Sequence, residues 1–554
     1  MAFFVFLKQT TAKNYRMQKI LLGNEAIGQG AIDAGISGAY GYPGTPSTEI
    51  IEYIEKHKKQ KDREIVSHWA PNEKVAMEEA LGMSFAGKRS IVTMKHVGLN
   101  VASDAFINMA ISGINGGLVV VVADDPSQHS SQNEQDSRFY GKFAMVPILE
   151  PSNQQEAYDM IKYAFELSEK TKLPVLLRSV TRLSHSRANV EIKEKLPQNN
   201  LNFPGDTKRF ALIPSFAKKQ YQNLIEKQKE LEKIAEESKW NKYYEQENSK
   251  MGIIASGIAV NYLLENFPGE LPYDLLKISH YPLPRKEIAK MFDRNEKILV
   301  LEDGYPFIEE MIGDFLGREK KVFGRLTGDI PRTGELNPNI VAHALGLEEK
   351  IDMEIPSVVA GRPPQLCPGC GHIDLYEELN DIIPEIGDNR IFSDIGCYSL
   401  GVLEPYDTID TLIDMGASIP MAKGAADAGV TPSIAVIGDS TFTHSGMTGL
   451  LSAIWAKSPI TVIISDNSAV AMTGAQPSAA MGKLYDIAKG LGVEEEHIKV
   501  IVPLKKYHDK NVEIIKNELA YDGVSLIIAQ RPCVTMSNEK KELARKFNTL
   551  TPNY

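Results

Sequence analysis

Every cysteine of this sequence sits in a short turn-forming context: Cys367 and Cys370 in Cys367-Pro368-Gly369-Cys370, Cys397 in Asp394-Ile395-Gly396-Cys397, and Cys533 after Arg531-Pro532. Four cysteines in 554 residues are too few for a disulfide scaffold. In a reducing compartment such cysteines are more often ligands or catalysts than bridges. Four thiolates can hold a tetrahedral Zn²⁺ or a [4Fe–4S] cluster, and the ligand set does not separate the two. Four unrelated buried thiols are the bland alternative, disfavoured by the paired spacing followed by Gly-Cys and Pro-Cys turns.

A second set of residues offers hard oxygen ligands. Gly438-Asp439-Ser440 follows the apolar run 433–437, and Asp466-Asn467 follows the run 460–464, the two turns being 28 residues apart. That spacing is one βαβ unit, whose right-handed crossover puts both turns at the carboxyl ends of parallel strands, where such sheets bind ligands. A carboxylate and an amide oxygen there suit Mg²⁺, which in turn holds a phosphate. Asp and Asn are also common in ordinary turns, so the pair alone leaves the choice even. Glu73 opens a helical pattern over 72–86. Chemistry alone ranks it no higher than Glu78 or Glu79, and a first-turn acid stabilised by the helix dipole is the ordinary reading.

The frame that must position these residues is legible as short β-branched runs at 90–93, 118–123, 174–177, 252–255, 298–301, 433–437, 460–464 and 524–528. Runs so short and apolar are buried parallel strands. Helical patterns such as 72–86 and 155–169 alternate with them, as in doubly wound sheets. The fold class is therefore α/β, with three doubly wound parallel-sheet domains, matching about three to four domains for this length. The stretch 218–250 is crowded with Lys, Glu and Gln and reads as an exposed helical connector, while 356–368 carries four prolines. These breaks give domains at 20–200, 251–350 and 366–554, a charged connector at 201–250 and a linker at 351–365. Residues 1–19 read as a disordered or mis-assigned extension, with Met17 the effective start. The middle domain shows no chemical motif.

Composition excludes several classes. Apolar residues at 43% and charged residues at 24% are those of a globular chain. A formal charge of −11 would repel a phosphate backbone, which argues against nucleic acid. No run approaches the roughly 18 apolar residues of a membrane span. Without a signal segment, the expected compartment is the cytoplasm.

The glycine-bearing stretch Met472-Thr473-Gly474-Ala475-Gln476-Pro477, just beyond Asn467, resembles the pyrophosphate half of thiamine diphosphate enzymes. That resemblance implies Asp439, the Asn467 side chain and the Ala469 carbonyl as Mg²⁺ ligands, with Gly438, Ser440 and Thr473 around the diphosphate. Ser440 stands where the family more often has a third glycine. The spacing from Glu73 to the turn at Gly98 resembles that of the activating glutamate in 2-oxoacid:ferredoxin oxidoreductases. In such enzymes a carboxylate against the aminopyrimidine favours the imino tautomer that removes the thiazolium proton. Cys367, Cys370, Cys397 and Cys533 resemble the ligands of one [4Fe–4S] cluster in the same enzymes.

Within that superfamily the motifs Tyr42-Pro43-Gly44-Thr45-Pro46-Ser47, Met94 to Asn100, Ala123-Asp124-Asp125-Pro126 and Cys367 to His372 resemble the large subunits of indolepyruvate:ferredoxin oxidoreductases, over nearly the whole length. The resemblance implies a pyrimidine-side domain, a transketolase-C-terminal-like domain and a pyrophosphate-side domain. It pairs Thr45 with the 2-oxoacid carboxylate and turns His96, on a Lys95-His96 turn, to the substrate. The plainer readings are that Thr45 caps the next helix, with Pro46 at its first position, and that His96 is a packed polar residue.

The implied reaction is oxidative decarboxylation of an arylpyruvate, with the acyl group collected by coenzyme A and electrons leaving through the cluster. The implied partners are a smaller beta subunit and ferredoxin or another electron carrier, around a homodimeric core. Related large subunits usually continue into a ferredoxin-like domain with further Cys-x-x-Cys sets, whereas here no cysteine follows Cys533. At most one cluster is therefore expected in this chain. The competing readings are a non-oxidative thiamine decarboxylase and a catalytically silent scaffold.

Overall fold

The structure, a computed structural model, describes residues 17–60, 63–247, 249, 251–313, 321–348, 356–361, 363–547 and 552–553. Residues 1–16 of the expected extension and 351–355 and 362 of the expected linker lie outside them. The chain forms two compact units, one of Met1–Trp69 and Glu73–Ile351, the other of Ala70–Asn72 and Asp352–Tyr554.

All eight apolar runs are strands in parallel ladders. In the first unit a seven-stranded sheet runs, edge to edge, through His280–Tyr281, Ile148–Leu149, Val175–Val180, Leu118–Asp124, Ser90–Lys95, Gly38–Gly41 and Val66–Trp69. Val119 to Val122 are fully buried, because helices cover both faces and leave no solvated side. The helices Glu73–Phe85 and Gln154–Thr171 supply two of those covers. The second begins where the Asn153 side chain accepts from the Glu156 backbone N–H at 2.9 Å.

The middle sheet of this unit is ordered Lys242–Tyr244, Asp274–Ile278, Met251–Ser256, Lys297–Leu301, Val322–Phe323. It departs from the expected boundaries in two places. The stretch expected as a connector to residue 250 contains the helix Pro214–Glu236, which buries Leu224, Leu231 and Ala235, and ends in an antiparallel edge strand of the middle sheet. Beyond the middle strands, His280–Tyr281 pairs with Ile148–Leu149 and joins the first sheet. A two-residue strand has too little pattern to be seen in sequence.

The middle segment also closes a buried charge cluster that no sequence motif announced. Arg178 and Arg138 are both fully buried. Arg178 meets Asp124 at 2.6 Å, Glu150 at 2.5 Å and the Asp303 carbonyl at 2.7 Å. Arg138 meets Asp136 at 2.5 Å and Glu302 at 2.9 Å. Carboxylates outnumber arginines here, and burial raises Glu302 to about 7 and Asp303 to about 6.

The second unit holds one wholly parallel sheet in the order Thr411–Leu412, Ile391–Ser393, Ser433–Gly438, Ile460–Asp466, Val524–Gln530, Ile498–Ile501. Its two faces bury separate apolar clusters, one around Ile437, Phe442 and Ile464, the other around Tyr376, Val436 and Ile527. Along each central strand the inward side chains alternate between these faces.

Candidate active site

Each unit gathers its expected residues at the carboxyl edge of a parallel sheet. In the second unit four adjacent strands end in turn at Asp394 to Cys397, Asp439, Asn467 and Arg531 to Cys533. Asp439 is buried beside Asp466, and its Oδ2 has no hydrogen-bond partner. Burial, then the Asp466 charge, pushes the Asp439 carboxyl well above the usual carboxylate range. Two buried acids at the ends of neighbouring strands, one with an orphaned oxygen, suit a divalent cation. Asp466 is held by Ser468 N–H at 3.0 Å and by Gln530 Nε2 at 3.0 Å. Asn467 Oδ1 accepts from Ala469 N–H at 3.0 Å, which brings the Ala469 backbone round to the same turn.

Gly438 and Gly396 have a packing reason to lack a side chain: a Cβ on either would fall 2.4 or 2.2 Å from Cε1 of the Tyr398 ring. That ring lies between the two turns, with its hydroxyl on Asp394. Ser440 is half-buried in the short helix Asp439–Thr441. Thr473 donates to Gln476 Oε1 at 2.6 Å and so closes the turn at Gly474, whose φ is 118°.

The four cysteines line one cavity of about 290 Å³, together with His372 and Asn467. Cys367 and Cys370 come from the turn that starts the helix Gly371–Asn380, Cys397 from the turn after Ile391–Ser393, and Cys533 from the segment after Val524–Gln530. Cys533 N–H donates to the Asn467 carbonyl at 3.0 Å and Arg531 N–H to that of Asp466 at 2.9 Å, lacing two neighbouring turns together. Burial, then the other three cysteines, pushes Cys397 up to about 12. Such a thiol ionises only if a cationic centre draws off its proton, which fits a metal or cluster. Among the described residues no three of the four Sγ lie within 4.8 Å of one another.

In the first unit the strands Gly38–Gly41, Val66–Trp69, Ser90–Lys95 and Leu118–Asp124 lead at their carboxyl ends to Thr45, Glu73, His96 and Asp125. Glu73 opens its helix and is buried against Gly98: a Cβ at 98 would lie 2.6 Å from Glu73 Oε1. Two expectations need correction here. There is no turn at Lys95-His96 or at Gly98, because the strand ending at Lys95 passes directly into the helix His96–Ser112. Gly98 is glycine for close approach rather than for a turn. Thr45 does not cap the next helix, which starts at Thr48 with Ser47 as N-cap. Thr45 is half-buried, and its carbonyl accepts from Ser130 Oγ at 3.2 Å.

His96 is buried, with Nε2 at 3.2 Å from both Asn133 oxygens and Nδ1 without a partner. Burial and the adjacent Lys95 hold it down to about 4, so the imidazole is neutral. Lys95, the residue before His96, has a role that nothing in its local sequence signals. Its Nζ donates to the Ser130 carbonyl at 2.8 Å, and burial lowers it to about 8 against the pull of Asp125 and Glu73. Burial would raise Asp125, but hydrogen bonds from Ser131, Thr181 and Ser130 outweigh it and hold the carboxyl below its usual value. This edge thus presents a buried carboxylate, a half-buried lysine and a neutral imidazole.

Comparison with known proteins follows the same division. Residues 29–247 match the family described as pyruvate flavodoxin/ferredoxin oxidoreductase, thiamine diphosphate-binding. Residues 394–528 match the C-terminal thiamine diphosphate-binding domain of thiamine pyrophosphate enzymes. The indolepyruvate oxidoreductase subunit IorA of Archaeoglobus fulgidus is 38% identical over 96% of this chain and 88% of its own length. This chain belongs to the IorA family of indolepyruvate oxidoreductase subunits. The IorA protein of Methanothermobacter thermautotrophicus is 37% identical over 93% of the chain and 87% of its own length. Among solved structures, a 2-oxoglutarate:ferredoxin oxidoreductase from Magnetococcus marinus aligns with a TM-score of 0.49 and 17% identity, over 59% of this chain and 65% of that one. Residues 29–247 and 394–528 are thus thiamine diphosphate-binding domains, while the middle sheet lies largely outside both matches.

Proposed function

We propose that this chain is the thiamine diphosphate-binding catalytic subunit of an enzyme that oxidatively decarboxylates an arylpyruvate of the indolepyruvate type. Coenzyme A would take the acyl group, and two electrons would leave through one [4Fe–4S] cluster to ferredoxin or another carrier. The observation that carries the reading is the cavity lined by all four cysteines, one strand away from the orphaned Asp439 carboxylate. The six curated IorA relatives, named as subunits, support a smaller beta subunit as partner. A homodimeric core and a cytoplasmic location complete the proposal.

The donor sets fit these cofactors. Asp439 and Asn467 would hold Mg²⁺ with the Ala469 carbonyl, and Gly438, Ser440 and Thr473 would border the diphosphate. Four thiolates around a tetrahedral zinc, with Zn–S near 2.3 Å, would stand about 3.8 Å apart. Four thiolates would equally hold a [4Fe–4S] cluster, and the family resemblance is what favours the cluster over zinc. Bound thiamine diphosphate supplies the electron sink for loss of CO₂. Glu73, kept dry against Gly98, would hold the proton that the aminopyrimidine needs. Thr45 would receive the substrate carboxylate, and neutral His96, whose Nε2–H faces the two Asn133 oxygens, would offer Nδ1 to the substrate as a hydrogen-bond acceptor without adding charge.

Anaerobic purification with the partner subunit, followed by iron, sulfide and thiamine analysis, tests the reading. About four irons and four sulfides per cysteine cavity, and bleaching of the visible spectrum by indolepyruvate, are expected. Zinc without sulfide, or release of CO₂ and aldehyde with no electron transfer, would overturn it in favour of a simple decarboxylase.

A further inference from the structure

His372 is the one side chain on the cysteine cavity wall with a buried ring nitrogen left unpaired. The residue is 2% exposed, its Nε2 has no partner, and its ring borders the cavity that the four thiols share. Nδ1 is already engaged, 2.7 Å from Ser465 Oγ, and the ring packs edge-on against Tyr398 with centroids 6.1 Å apart. The imidazole is therefore clamped on two sides and cannot turn its free nitrogen elsewhere. Buried ring nitrogens are rarely left unsatisfied, because an unpaired one loses its bond to water without gaining another. None of the polar side chains that also line the cavity, Gln365, Asn467, Arg531 and Thr535 among them, pairs with Nε2, so the partner it lacks is something that the cavity holds.

We propose that His372 donates an Nε2–H hydrogen bond to a sulfur of the cluster held by Cys367, Cys370, Cys397 and Cys533, and thereby raises its reduction potential. This rests on the cluster reading above. A hydrogen bond to sulfur draws electron density from the core and stabilises the reduced state, one of the main levers on such potentials. Ser465 is the positioning residue: with its hydroxyl donating to Nδ1, the ring proton stays on Nε2 and faces the sulfurs. His372 is not among the residues assigned to thiamine or substrate, so its effect is expected on electron transfer and not on decarboxylation.

The test is a reductive titration of the assembled enzyme followed by electron paramagnetic resonance. Replacing the donor with a ring of similar size, His372→Phe, should shift the one-electron reduction equilibrium at least tenfold toward the oxidised cluster, about 59 mV more negative. His372→Gln restores an N–H near the same place and should return most of the shift. Ser465→Ala should move the potential in the same direction as His372→Phe, by less. Iron and sulfide equal to wild type with an unchanged potential in His372→Phe overturns this inference alone. Wild-type enzyme that carries no iron overturns the cluster reading, and this inference with it.

Discussion

The contact between Gly98 and Glu73 permits a test that separates folding from catalysis. An alanine Cβ at position 98 would lie 2.6 Å from Glu73 Oε1, 2.7 Å from its Cγ and 2.9 Å from its Cδ. Carbon and oxygen settle at about 3.3 Å or more, so the carboxylate must retreat by roughly 0.7 Å. All three atoms belong to one flexible side chain, so the backbone need not move. A glycine replaced by alanine inside a helix gains roughly 0.5–1 kcal/mol, which offsets the cost of the shift. Misplacement of a reacting group by about 1 Å can cost about 100-fold in rate. Gly98→Ala should therefore keep its Tm and its bound thiamine while losing about 10- to 100-fold in kcat for indolepyruvate-dependent acceptor reduction. Glu73→Gln sets the floor, with a loss of at least about 100-fold. A Gly98→Ala enzyme that turns over within about twofold of wild type would refute the assignment of Glu73, since rate would then not depend on where its carboxylate stands.

Other perturbations have definite signs. Cys533→Ser should strip iron and sulfide from the protein while leaving thiamine binding measurable, as read by metal analysis and cofactor release. Asp439→Asn removes one of two adjacent buried carboxylates, so the metal-free protein should gain about 1–3 kcal/mol in urea unfolding while losing thiamine diphosphate in Mg²⁺ titrations. Arg178→Met leaves Asp124 and Glu150 without their cation and should cost about 3–5 kcal/mol, visible as a large fall in Tm. Glu302 titrates near 7 in the folded state against an ordinary 4.5, so its stabilising contribution is complete below pH 4.5 and is lost as pH rises through 7. That loss is about 3 kcal/mol, and Glu302→Gln should flatten the dependence when urea midpoints are compared at pH 5 and pH 8.

How much of this was legible follows from what each signal depends on. The strands at 118–123 and 460–464 are read from local apolar runs, because a strand covered on both faces has no polar positions to confuse the pattern. Asp439 and Asn467 are legible because turn chemistry at strand ends is local, and the cysteines because their spacing is. The Arg138 and Arg178 cluster is not, since its members run from Asp124 to Asp303 and meet only in the folded unit. The turn expected at Gly98 fails for a related reason: a glycine that makes room for a residue 25 positions earlier has the same local appearance as one in a turn. Lys95 and the Nε2 of His372 owe their character to burial, which a single sequence does not display. The strand His280–Tyr281 is too short to carry any periodicity.

The residues at the carboxyl edge of the second unit's sheet stand opposite the turns that feed its strands. Those feeding turns, 429–432, 457–459 and 521–523, lie at the other edge and hold none of the proposed ligands. Lengthening or shortening them leaves Cys397, Asp439, Asn467 and Cys533 in place. Deleting one residue inside Ile460–Asp466 or Val524–Gln530 would instead turn every following side chain to the opposite face. The two edges therefore differ in the lineages they allow: insertions should accumulate among relatives at the feeding turns, while the lengths of these two strands stay fixed.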